Sequence, residues 1–260
     1  MSDFLRNTLW RLFALLPIHL TRALSRILFG RKYIAKAKKH GQTRLAARLK
    51  VAEVLAHKQN AAWEGVILIG GVARVGKTIV AHALARKIGG YVVEFDRLKH
   101  FYSDLGQEGI EIKLWMVDEL CKKGQGIIIE GDGLIMYDDV LIGLSDEPTP
   151  FSVTPQIIRD RIDHWGAQGF CLGAAEDLPA DKYQGLLHSA TRNKCWATSR
   201  LDDSDLHTLA HSIVSTSRTL RAMSKQVDVP YFEIHSKHFK ESIRQATHSI
   251  ANVVTRRPQP

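Results

Sequence analysis

Eight consecutive residues, Gly71-Val72-Ala73-Arg74-Val75-Gly76-Lys77-Thr78, have the types and spacing needed to hold a triphosphate. Glycines permit a tight loop whose backbone N–H groups, together with the following helix N-terminus, surround a β-phosphate. Lys77 would neutralise the β and γ oxygens, and the Thr78 hydroxyl would ligate Mg²⁺. The pattern Gly-x4-Gly-Lys-Thr also arises by chance, so its context decides. Here it follows an apolar run, Val66 to Ile69, and opens an amphipathic segment, Lys77 to Ile88. That is the strand-loop-helix setting the motif requires, so residues 71–78 and Ile79 are expected to bind ATP with Mg²⁺.

Acids and arginines further along supply the rest of a phosphoryl-transfer site. The second apolar run ends in Glu94-Phe95-Asp96-Arg97, which puts Asp96 at the carboxyl edge of a sheet, beside the phosphate loop. Asp96 is the candidate base for an attacking hydroxyl, with helix capping as its structural alternative. Arg97 either grips an anionic substrate group or pairs with a surface acid. The third run, Gly126 to Glu130, is followed by Gly131-Asp132-Gly133. An acid in that position serves the magnesium shell, and Glu130 is preferred over Asp132; both also face the substrate side. Beyond the fourth run, Lys182, His188, Arg192, Lys194, Trp196 and Arg200 crowd one polar stretch. A mobile segment there could carry arginine over the γ-phosphate, with Arg192 or Arg200 as that group, or these could be solvated surface charges.

The elements that must position these residues alternate in type from Val66 onward. Strands are expected at Val66–Ile69, Tyr91–Phe95, Gly126–Glu130, Gly169–Gly173 and Pro230–Ile234, with helices starting near Lys77, Ser103, Thr154, Asp181, Ser204 and Lys237. Thr154-Pro155 reads as a capping hydroxyl followed by proline at the first helical position. The expected fold is a doubly wound α/β domain with a parallel five-stranded sheet, spanning residues 61–260.

Residues 1–60 differ in character. The first 52 carry twelve Lys or Arg and one acid, a charge of +11 that leaves −2 of the total +9 for the remainder. Basic character therefore belongs to an N-terminal arm and argues nothing about the main domain. Leu9, Leu12, Phe13, Leu16 and Leu20 recur at helical spacing, with Arg6, Arg11, Arg22 and Arg26 on other faces. Such a helix lies on an anionic membrane surface, or packs its stripe against its own core or a second subunit. A second basic helix is expected over Arg31 to about His57, then a hinge over Gln59 to Gly65. Nucleic acid is the least favoured partner, because aromatics such as Trp10, Phe29 and Tyr33 are sparse among the charges. No run reaches the roughly 18 apolar residues of a membrane span. The stretch Leu12 to Leu20 lacks a good cleavage site, although its Arg-rich, acid-poor flanks also suit a transit peptide. Cys121, Cys171 and Cys195 form neither a disulfide framework nor a metal spacing, so a reducing, cytoplasmic setting is expected, with peripheral membrane attachment as the variant the arm allows. His235 and His238 lie at the start of an expected helix with no cysteine nearby, and are read as structural or surface residues.

With these motifs in order over residues 64–254, the chain resembles the P-loop kinases related to adenylate kinase, zeta-type toxins and small-molecule phosphotransferases. The residues that carry the resemblance are the phosphate loop, Asp96-Arg97, Ile128-Ile129-Glu130-Gly131 and the closing strand Tyr231-Phe232-Glu233-Ile234-His235-Ser236. Kinase-like bacterial proteins share further features that appear here as Phe170-Cys171-Leu172-Gly173, Pro179-Ala180-Asp181-Lys182, Asn193-Lys194-Cys195-Trp196 and Ser217-Arg218. The resemblance implies that Ser236 to His238 contact the nucleotide base and that a lid lies near residues 185–200. Nucleoside-monophosphate motifs are not evident, so the implied activity is ATP-dependent phosphorylation of a hydroxyl on another small molecule. The competing expectation is a membrane-associated ATPase or nucleotide-binding switch with no acceptor.

Overall fold

Apolar runs without polar alternation suit strands buried on both faces, and five of them do form one sheet. The computed structural model describes residues 8–10, 12–13, 16–39, 42–56, 61, 63–95, 97–98, 107–131, 155–192 and 201–256. The strands are β1 (Val66–Gly71), β2 (Tyr91–Glu94), β3 (Ile127–Glu130), β4 (Gln168–Gly173) and β5 (Tyr231–Glu233). They lie in the order β2-β3-β1-β4-β5, and every pairing is parallel. All six residues of β1 and all four of β3 are buried, so the centre of the sheet is covered on both sides. The doubly wound α/β expectation holds. One expectation about neighbours does not: β3 lies between β1 and β2, so the end of β2 is not beside the phosphate loop. Glu130 is directly next to it, with Ile69 of β1 paired to Glu130 and Glu130 in turn paired to Glu94 of β2. Chain order suggested adjacency, but pairing decided it.

Helices supply the cover. In chain order they are α1 (Ile18–Phe29), α2 (Tyr33–Lys39), α3 (Thr43–Leu55), α4 (Lys77–Ile88), α5 (Gln107–Lys123), α6 (Pro155–Trp165), α7 (Pro179–Arg192), α8 (Asp203–Gln226) and α9 (Phe239–Arg256). α4 packs against α9 and strands β1 to β3, whereas α8 packs against α6, α7, β4 and β5. α4 turns Val80, Ala81, Leu84 and Ile88 inward at the spacing its sequence shows. The side chain of Asp202 caps α8 by accepting from the Asp205 N–H at 2.8 Å.

The arm folds onto this body, and here the sequence reading needs correcting. The second basic helix is broken into α2 and α3, with a 3₁₀ turn over Gly30–Lys32 before them. Gln42, at the N-cap of α3, has non-helical backbone with φ −97° and ψ 55°, so the second helix restarts there. α3 buries Leu45, Ala46, Ala47, Leu49, Val51 and Val54 and packs against α1, α2 and α5. These residues belong to the same apolar cluster as Ile67, Leu68 and Ile128 of the sheet. The expected hinge over 59–65 is described at 61 and 63–65. There Trp63 is buried, and its indole N–H donates to the Gly89 carbonyl at 3.3 Å.

The expected apolar stripe is split as well. Phe13 is buried and Leu9 and Leu16 are half-buried, but Leu12 and Leu20 are exposed. Pro17 stands at the N-cap of α1, so the periodicity cannot run through it as one helix. α1 itself buries Thr21, Ser25 and Phe29. The Thr21 hydroxyl donates to the Phe13 carbonyl at 2.9 Å, and Trp10 stacks on Phe29 with ring centroids 4.4 Å apart and Phe13 edge-on at 5.8 Å. Among the described residues no helix is long and apolar enough to cross a membrane.

Candidate functional site

The loop between β1 and α4 begins and ends on backbone that only glycine accommodates easily. Gly71 has φ +143°, and a Cβ there would lie 2.1 Å from the Leu172 carbonyl oxygen of β4. Gly76, with φ +93°, caps α4 against Phe239 and Ile243 of α9, where a Cβ would meet Ile243 Cδ1 at 2.8 Å. Both glycines thus let neighbouring elements close in on the loop. Between them Arg74 adopts a positive φ of 60°.

Two lysines reach this loop from different helices. Lys77, the first residue of α4, is buried and donates from Nζ to the Val72 carbonyl at 2.7 Å. Lys182 of α7 is 3% exposed and donates from Nζ to the Arg74 carbonyl at 2.9 Å. Burial pushes the Lys182 amine down to about 8; Asp177 and Glu233 oppose that shift, while Lys77 and Arg74 add to it. Positive charge thus gathers on a helix N-terminus that itself favours anions.

Beside Lys77, the Thr78 hydroxyl donates to Glu130 Oε1 at 3.1 Å, and Glu130 is 2% exposed at the end of β3. A hydroxyl and a carboxylate oxygen are hard donors suited to Mg²⁺, which keeps several waters and takes phosphate oxygens for the rest of its octahedron. Two protein oxygens therefore fit that ion. Among the described residues there is no cluster of three or more His, Cys, Asp or Glu that would suit a caged metal instead.

The remaining edge of the site is a loop after β4 that three groups of α8 fasten. Ser217 Oγ accepts from the Ala174 N–H at 2.9 Å, Arg218 Nε donates to the Ala175 carbonyl at 3.1 Å, and Arg221 pairs with Glu176 at 2.8 Å. This fastening presents buried Asp177 to the loop after β5, where both carboxylate oxygens accept from the Ser236 N–H at 3.1 Å. Lys237 adds an ion pair with Asp181 at 3.0 Å. His235 lies 3.8 Å from Glu176 and 3.9 Å from Asp177, two acids of the loop after β4. Loops after β1, β4 and β5 are stitched together at the carboxyl edge, the side where open α/β sheets bind ligands.

Several sequence candidates stand apart from this constellation. Arg97 is 78% exposed on its side chain and pairs through Nε with Glu94 Oε2 at 2.6 Å; Glu94 also contacts His82 at 3.1 Å. Ile79 is exposed one turn into α4. Asp96 and Asp132 lie outside the described residues, as do Lys194, Trp196 and Arg200. Arg192 is the last residue of α7, and its side chain lies outside the described ones. Of the expected lid segment, residues 185–192 continue α7. The thiols of Cys121 and Cys171 are each pushed up to about 12 by burial, with Asp118 adding to the effect on Cys121, so neither is a nucleophile at neutral pH.

Sequence reasoning missed Lys182 and Asp177 as parts of the site. Lys182 did carry a signal, the Pro179-x-x-Lys182 spacing, but nothing local says that its ammonium meets a loop 108 residues earlier. Asp177 carried none.

No family model matches the sequence, and no curated protein matches it. Among solved structures, shikimate kinase from Bacteroides thetaiotaomicron is similar at a TM-score of 0.45 and 13% identity, over 72% of this chain and 98% of that one. A protein designated APE1195 is similar at a TM-score of 0.29 and 15% identity, over 63% and 98% of the two chains. Overlaps this loose carry nothing about chemistry, which rests on the site itself.

Proposed function

We propose that the chain is an ATP- and Mg²⁺-dependent kinase that transfers the γ-phosphoryl group to a hydroxyl of a small molecule. One observation carries this reading: Lys77 and Lys182 converge on the glycine-bounded loop while Thr78 and buried Glu130 meet beside it. In this reading the loop amides and the α4 N-terminus bind the phosphates, and Lys77 neutralises charge that spreads over them in the transition state. Thr78 and Glu130 would hold Mg²⁺, which would supply positive charge to offset the charge that develops on the phosphates. Asp96 follows the last residue of β2 by two positions in the sequence and is assigned as the base that acts on the acceptor hydroxyl. Arg192 completes the reading as the group brought over the γ-phosphate, and Arg97, Glu130 and Asp132 as contacts to the acceptor. Ser236, tied to Asp177, holds the loop assigned to the nucleotide base.

The test is incubation of the full chain with labelled ATP and a metabolite extract, followed by mass spectrometry. The expected result is a product heavier by one phosphoryl group, about 80 Da. Hydrolysis that no metabolite accelerates would sink the kinase reading in favour of an acceptor-free ATPase or switch.

A further inference from the structure

α1 turns more apolar surface outward than a helix serving only its own core would. Its inward residues are Phe29 and the small polar Thr21 and Ser25, while Leu20, Leu24, Ile27 and Leu28 are exposed, Ile27 by 77% and Leu28 by 54%. Those four recur at i, i+4, i+7 and i+8, so they share one side of the helix, and Leu12, before Pro17, is exposed too. Single exposed leucines need no explanation, but a continuous apolar helix face outside the core does. His19, Arg26, Arg31 and Lys32 are exposed on the same stretch, and the 52-residue segment around them is +11 with a single acid.

We propose that this face of α1 docks on an anionic lipid bilayer, with Leu20, Leu24, Ile27 and Leu28 entering the acyl boundary and the arm's lysines and arginines on the headgroups. The charge selects the occupant. Two copies meeting through this face would bring together two arms of +11 each, whereas an anionic leaflet attracts that net charge. A nucleic acid would use the charge but leave the leucines in water. An interfacial helix uses both, since apolar burial and headgroup attraction add. Because α3 ties α1 to α5 and the sheet's core, such docking would hold the whole body at the surface without a membrane-spanning segment.

The experiment is flotation of the full chain with vesicles of phosphatidylcholine alone or with phosphatidylglycerol at about seven parts to three. Wild type is expected to float with the anionic vesicles only, and raised salt should weaken binding. Replacing Ile27→Asn and Leu28→Asn together should lower the partition coefficient about tenfold at an unchanged melting temperature. Replacing Arg26→Gln, Arg31→Gln and Lys32→Gln should lower it about a hundredfold, giving a second reading should the first variant misfold. The proposal fails if wild type stays with the unbound fraction, if the asparagine variant floats like wild type, or if the chain binds mixed-sequence RNA and ignores the vesicles. It also fails if sedimentation shows a dimer that the asparagine variant abolishes.

Discussion

α4 and α1 are both twelve-residue helices with apolar and basic residues, and the molecule uses them in opposite senses. α4 buries Val80, Ala81, Leu84 and Ile88, so its apolar side serves the core and its N-terminus is aimed at the phosphate loop. α1 buries Thr21, Ser25 and Phe29 and leaves Leu20, Leu24, Ile27 and Leu28 outside. Amphipathicity alone therefore did not tell which side would face in. What separates them is the partner. α4 is fed directly from β1 and must cover the sheet, whereas α1 starts after Pro17 and meets a surface already closed by Phe13, Trp10 and α3.

The sharpest way to break the comparison is at the loop that α4 serves. Lys77→Ala should lower ATP affinity and any phosphoryl transfer about a thousandfold, since it removes the charge facing the β and γ oxygens. Asp96→Asn should keep ATP binding and lose turnover; full activity in that variant would remove Asp96 as base. Isothermal titration and single-turnover assays separate the two.

Next in size is a paired truncation of the helices themselves. Leu84 is fully buried, so Leu84→Ala should cost about 3 kcal/mol in denaturant unfolding. Ile27→Ala, at a side chain mostly in water, should stay within about 0.5 kcal/mol of wild type. Equal losses would mean that the α1 face is covered in solution and that the contrast drawn between the helices is wrong.

A smaller effect belongs to Lys182. Below its pKa of about 8 the side chain is charged, and a triphosphate favours that form, so binding above that pH must take up a proton. ATP affinity should fall about tenfold per pH unit above 8, and Lys182→Met should bind more weakly and lose this dependence. The sign for stability is the reverse. Between about 8 and the ordinary lysine value of 10.5 the unfolded chain holds the proton and the folded chain does not, so unfolding should become harder as pH rises through that window.

The smallest expected change is in α1. Ser25 is buried, and its hydroxyl has no hydrogen-bond partner among the described residues, so Ser25→Ala should be neutral or stabilising by about 1 kcal/mol at most. Thermal melts decide it. A large loss would reveal a partner for that hydroxyl and weaken the contrast between the inner sides of α1 and α4.

By itself, the sequence determined whatever depends on neighbours along the chain. Gly71 to Thr78 is a contiguous motif between a strand and a helix, and the apolar runs at β1, β3 and β4 have no other stable use than a covered parallel sheet. The strand ends were legible to within a residue or two for the same reason. The tertiary structure alone decided whatever depends on residues far apart in the chain. Nothing local could place β3 between β1 and β2, bring Lys182 to the Arg74 carbonyl, or set Asp177 under Ser236. Nor could the apolar periodicity of α1 say which side faces in, because burial of a helix face is settled by the surface it meets rather than by the helix. Asp96, Asp132 and the segment from Asn193 to Arg200 remain readings of the sequence, for they lie outside the described residues. The phosphate loop was local chemistry, while the lysine that crosses to it and the leucines left in solvent are consequences of packing.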